Sequence, residues 1–116
     1  MDSRLDKLFA GKKANWRKPY DALAKTIAKF GNDVELAPNM TYVNILRDEK
    51  KFAIVQPSSS ERLDIGIKLK NVAPTKRFEA AGNWNAMVTH RVRITDAKEI
   101  DKEVVAWLKE AYNAAH

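Results

Sequence analysis

Cysteine is absent from this chain of 116 residues. That excludes disulfides, thiolate metal sites and a cysteine nucleophile, and it fits a reducing compartment. Histidine is nearly as scarce: of two, only His90 lies in the interior of the sequence. A metal site needs several ligands, so one histidine without cysteine falls short, and an all-oxygen site, though open in principle, has no clustered signature. Apolar runs are only a few residues long, far short of a membrane span. The opening Met1-Asp2-Ser3-Arg4-Leu5-Asp6 lacks the apolar stretch of a secretory signal. A cytoplasmic protein without membrane association is expected.

Catalytic signatures are also missing. Gly11-Lys12-Lys13 lacks the first glycine of a phosphate loop and no strand precedes it. Ser58-Ser59-Ser60 has no flanking glycines and no following helix, so it is a turn and not a nucleophile elbow. Asp64, Gly66 and Lys68 share a strand face, but two-metal phosphodiester chemistry needs convergent carboxylates and position 66 is glycine. No catalytic residue, metal or cofactor is therefore expected, and the chain reads as a non-catalytic module.

What is present is an ordinary globular composition, 45% hydrophobic and 31% charged. The length suits one domain over residues 1–116. Net charge is +6, unevenly spread: residues 1–30 contribute +5, 31–60 contribute −1, 61–95 contribute +4 and 96–116 contribute −2. A basic field of this kind attracts nucleic acid or another polyanion, and it also serves plain solubility.

The strongest pattern is strict alternation. Leu63, Ile65, Ile67 and Leu69 alternate with Arg62, Asp64, Gly66 and Lys68. Val88, His90, Val92 and Ile94 alternate with Met87, Thr89, Arg91 and Arg93. Period two means strands with one face in a core and the other polar and mostly basic. Further strands are expected at Val34–Ala37, Thr41–Arg47, Phe52–Gln56 and around Arg77–Glu79. Short links between them predict antiparallel pairing. Tyr42, Leu46, Ala53 and Val55 are expected on the outer face with the charges. Their cover would be the N-terminal segment, a partner or the 70–86 loop.

Helices are expected at both ends. Ser3–Phe9 carries Leu5, Leu8 and Phe9 at helical spacing, with Ser3 and Asp6 spaced as a capping box. Trp16–Phe30 carries the stripe Tyr20, Leu23, Ala24, Ile27 and Phe30, with Pro19 in its first turn and Gly31 as its C-cap. A final helix capped by Asp96, with Glu99 completing the box, carries Ile100, Val104, Trp107, Leu108, Ala111 and Ala115. The fold class is α+β: an antiparallel sheet of four to six strands packed on N- and C-terminal helices in two layers.

The binding set read from these patterns is Arg62, Lys68, Trp84, Arg91 and Arg93. Four cations share one sheet face, and Trp84 lies in an irregular loop near its end. Cations with an aromatic suit a nucleic-acid backbone and a stacked base. The bland reading stands beside it: Trp84 caps the core and Asp64 interrupts the basic field. His90 has two readings, a hydrogen-bonded histidine at the core edge or a general base, and its place among Val88 and Val92 favours the first. The alternative function is a protein-interaction module, pairing with a second copy or a partner domain through Tyr42, Leu46 and Val55.

From Gly11 onward the sequence resembles a bacterial domain-of-unknown-function family, number fifty-six fifty-five. The resemblance runs through Gly11-Lys12-Lys13, Pro19-Tyr20-Asp21-Ala22-Leu23, Phe30-Gly31-Asn32-Asp33-Val34, Ala37-Pro38 and Thr41-Tyr42-Val43. It continues through Phe52 to Ser58, Arg62-Leu63-Asp64-Ile65-Gly66, Val72-Ala73-Pro74-Thr75, Asn85 to Val92 and Ala111-Tyr112. It implies a small α+β fold. The resemblance implies that in many longer relatives the domain is the C-terminal half behind an uncharacterised helical domain, that in others it follows a nuclease-like one, and that this chain is similar to the domain alone. Relatives tend to carry lysines where this chain has Asn39-Met40. The resemblance implies no activity and no catalytic residue.

Overall fold

The computed structural model describes residues 3–116. Helix α1 spans Ser3–Leu8, and a 3-10 helix at Gly11–Trp16 leads directly into α2, Arg17–Ala28. The strands are β1 Val34–Pro38, β2 Val43–Arg47, β3 Lys50–Pro57, β4 Leu63–Ile67, β5 Glu79–Ala80 and β6 His90–Ile94. A 3-10 turn at Ala97–Glu99 precedes α3, Lys102–Ala114. The six strands form one antiparallel sheet in the order β1-β2-β3-β4-β6-β5. No helix of the described residues is long and apolar enough to cross a membrane.

Apolar spacing explains how the helices dock. Tyr20, Leu23 and Ile27 of α2 and Val104, Leu108 and Ala111 of α3 are buried at helical intervals. They meet Val43, Ile45, Ala53, Val55, Leu63, Ile65, Ile67, Val92 and Ile94 on one sheet face, giving the two-layer core. The capping box of Asp96 and Glu99 is present, but it closes only the 3-10 turn, because Ile100 leaves the helical region at φ −82° and ψ 77°. Helix α3 starts afresh, with the Asp101 side chain accepting the Val104 N–H.

Two assignments of residues to faces are corrected. Ala53 and Val55 lie in the main core, not outside, and Ile54 is the outward residue. The cause is a β-bulge: Ile45 pairs with Ala53 but Leu46 pairs with Lys51, leaving Phe52 as the extra residue. Phe52 to Val55 are all buried, so this strand carries no readable alternation. Val88 likewise leaves the helix-covered face. Strand β6 begins only at His90, because Thr89 interrupts the ladder with its hydroxyl, which takes the Leu69 N–H and donates to the Ile67 carbonyl. Gly31 is not a left-handed cap either; α2 ends at Ala28 with Lys29 as its C-cap, and Gly31 instead leaves room for the Tyr112 hydroxyl.

The second face has a core of its own. Ile54, Ala81 and Val88 are buried together, with Tyr42 and Trp84 packed against them. Gly66 makes this possible: a Cβ there would lie 2.7 Å from Ile54 Cγ1 and 3.0 Å from both Trp84 Cζ3 and Val88 Cγ2. The 81–89 loop, closed by the Ala81 N–H on the Thr89 carbonyl, therefore folds down onto the sheet.

Candidate anion-binding surface

The second face presents two cross-strand rows beside that loop. Glu79, Arg91, Gly66 and Ile54 are paired in register in one row, and Arg93, Asp64 and Gln56 in the next. Glu79 reaches both arginines, at 2.7 Å to Arg93 Nε and 3.2 Å to Arg91 Nη2. Partial desolvation works against the Glu79 charge, yet the Arg93 and Arg91 hydrogen bonds outweigh it and hold the carboxyl below its ordinary value. The Arg91 guanidinium also stands 5.2 Å above the half-buried Trp84 ring.

Asp64 is fully buried and accepts from Ser58 Oγ and, at 3.2 Å, from Arg62 Nε. Its second oxygen, Oδ1, meets no donor among the described residues. Arg62 is thus tied to Asp64, as Arg91 and Arg93 are tied to Glu79. His90 is buried on the helix side, with Nε2 3.0 Å from the Val72 carbonyl, Nδ1 2.6 Å from Thr89 Oγ1, and the Trp107 ring edge-on at 5.1 Å. Both ring nitrogens are engaged inside the fold, and no group of three or more potential metal ligands occurs among the described residues.

Lys68 stands apart from the arginines of its set. It lies two residues beyond Gly66 on the same strand face, at the end of the sheet where the β2–β3 hairpin meets the C-terminal turn of α3. There Lys50, Lys51, Lys68 and Lys70 line one cleft of about 290 Å³, together with Phe52 and Ala111. No lining side chain is acidic; Leu69, Ala114, Ala115 and His116 complete the lining. None of the four lysines makes an ion pair among the described residues.

The hairpin turn sets the position of the first two lysines. Arg47 pairs with Lys50, so the loop has only two residues, Asp48 and Glu49, at φ 49° and 72°. Positive φ at both positions is the geometry of a tight hairpin whose twist matches the strands, usually met by asparagine and glycine. Here two non-glycine residues accept the left-handed conformation, and Lys50 and Lys51 enter β3 at once.

The family model for a domain of unknown function, DUF5655, matches residues 5–115. The chain belongs to this family. No curated protein and no solved structure matches it. In this DUF5655 chain the five residues expected to bind are split. Arg62, Trp84, Arg91 and Arg93 gather on the second face among two acids, whereas Lys68 joins the lysine cleft. Lys50, Lys51 and Lys70 were not singled out by sequence reasoning. The Lys50-Lys51 pair at a strand start was a visible signal, but the cleft it lines forms only where the end of α3 docks beside it. Glu79 was also missed as the arginines' partner, because β5 is only two residues long.

Proposed function

We propose that this chain is a non-catalytic module that binds an anionic ligand, phosphate-bearing nucleic acid included, through the basic end of its sheet. One observation carries this reading: four lysines without an acidic partner line a single cleft, while the neighbouring arginines already share Glu79 and Asp64. Lys68 is its centre. Trp84 and Arg91, on the second face, offer a stacking surface for a planar group, and Arg62 and Arg93 form its charged border. Fluorescence anisotropy with a short single-stranded oligonucleotide tests it. Four neutralised phosphates predict a log–log salt slope of about −3. Trp84→Ala is expected to weaken single-strand binding more than duplex binding. Absence of any polyanion binding at low salt overturns the proposal.

A second reading, pairing with another copy or a partner domain, keeps Tyr42 and Leu46 on the outer face but loses Val55 to the core. Its support is Met40, 92% exposed in the turn beside Tyr42. Sedimentation showing a dimer that Leu46→Lys dissociates would favour it; a monomer at high concentration would exclude the pairing of two copies.

A further inference from the structure

The lysine cleft has a floor as well as a rim, and the floor is apolar. Phe52, Leu69, Ala111, Ala114 and Ala115 make up this apolar part of the lining beside the four lysines. A surface meant only for a polymer's phosphates needs no such floor, since counterion release depends on charge alone. At about 290 Å³ the cleft lies at the small end of ligand pockets, with room for one ring and one charged group. The alanines matter here: their small side chains on the last turn of α3 leave open the space that longer residues would fill. Lysine ammonium groups are compact point charges on flexible stems, suited to converge on a phosphate without the planar geometry an arginine imposes.

We infer that the cleft takes a small organic phosphate, a phosphate joined to a compact apolar or aromatic body, with the phosphate among Lys50, Lys51, Lys68 and Lys70 and the body on Phe52 and the α3 alanines. This rests on the anion-binding reading above and names its ligand class. The four lysines supply charge with no acidic side chain in the lining, and the floor supplies the discrimination that charge lacks. A ligand with both parts gains from each, while inorganic phosphate gains from the rim only and an uncharged ring from the floor only.

Calorimetric titration of the full chain with phenyl phosphate, inorganic phosphate and benzyl alcohol tests this, with a twelve-nucleotide single strand as the polymer arm. Phenyl phosphate is expected to bind at least tenfold more tightly than either small partner molecule. Ala114→Leu places a larger side chain in the cleft at an exposed helix position and so spares the core. It is expected to weaken phenyl phosphate at least tenfold and to leave oligonucleotide binding within twofold. Oligonucleotide binding with phenyl phosphate less than tenfold tighter than inorganic phosphate, or unaffected by Ala114→Leu, overturns the ligand class and leaves the basic surface standing. No binding of any anion overturns both.

Discussion

The Tyr112 hydroxyl donates to Asp33 Oδ1 at 2.6 Å, joining the end of α3 to the start of β1 across 79 residues of sequence. Arg47 completes the unit. Its Nε lies 2.9 Å from Asp33 Oδ2, its Nη1 donates to the Tyr112 carbonyl, and its guanidinium carbon sits 4.3 Å above the Tyr112 ring. The Tyr112 hydrogen bond, then that of Arg47, holds the Asp33 carboxyl below its ordinary value, and the same bond to Asp33 lifts the Tyr112 phenol. A group depressed on folding gives stability that is present above its unfolded value and lost as pH falls; a phenol raised on folding gives stability present below its unfolded value and lost as pH rises. With Glu79 also depressed, the fold is expected to weaken as pH drops below about 4 and again as it climbs past about 10. Thermal unfolding of Tyr112→Phe against pH checks this. The variant is expected to melt lower at neutral pH and to lose the alkaline decline.

Gly66 is the point on which the second core turns. A methyl group there meets Ile54, Trp84 and Val88 at or inside contact distance. Gly66→Ala is expected to lift the 81–89 loop and cost about 1–3 kcal/mol, the usual penalty of overpacking a filled site. Denaturant unfolding, followed by tryptophan emission, measures both effects. An unchanged midpoint would mean that the loop does not rest on the sheet.

The Asp48-Glu49 turn holds two L-residues at positive φ. Glycine accepts that conformation without steric cost. Glu49→Gly is therefore expected to stabilise the protein by about 1 kcal/mol. Chemical denaturation with an unchanged slope would confirm the gain; a loss would show that the Glu49 side chain contributes a contact outweighing its backbone strain.

The architecture was legible where side chains alternate without interruption. Leu63, Ile65 and Ile67 against Val92 and Ile94 give the central strands, and the stripes of Tyr20, Leu23 and Ile27 and of Val104, Leu108 and Ala111 give the covering helices. Reading failed where a local device broke the period. The bulge at Phe52 turned it to the same core as Ala53 and Val55 while the 81–89 loop covered Ile54, and the Thr89 hydroxyl stood in for the ladder and released Val88 to the other side. The basic face was legible as a set of cations on one side of β4 and β6. Their state was not, because the acid that neutralises Arg91 and Arg93 lies on a two-residue strand. The lysine cleft was least legible, since residues 50–51, 68–70 and 111–116 meet only when α3 docks at the end of the sheet.

Under the proposed function, anion binding resides at the lysine end of the sheet and not on the acid-paired arginines. The salt dependence of single-strand binding, compared between Lys50→Ala with Lys68→Ala and Arg91→Ala with Arg93→Ala, tests it most directly. The lysine double variant is expected to reduce the log–log slope by about 1.4, two contacts at roughly 0.7 each, with little change in fold by circular dichroism. The arginine double variant is expected to change it less, because Glu79 already holds those charges. A lysine variant that binds as the wild type does, beside an arginine variant that does not bind, would contradict the claim.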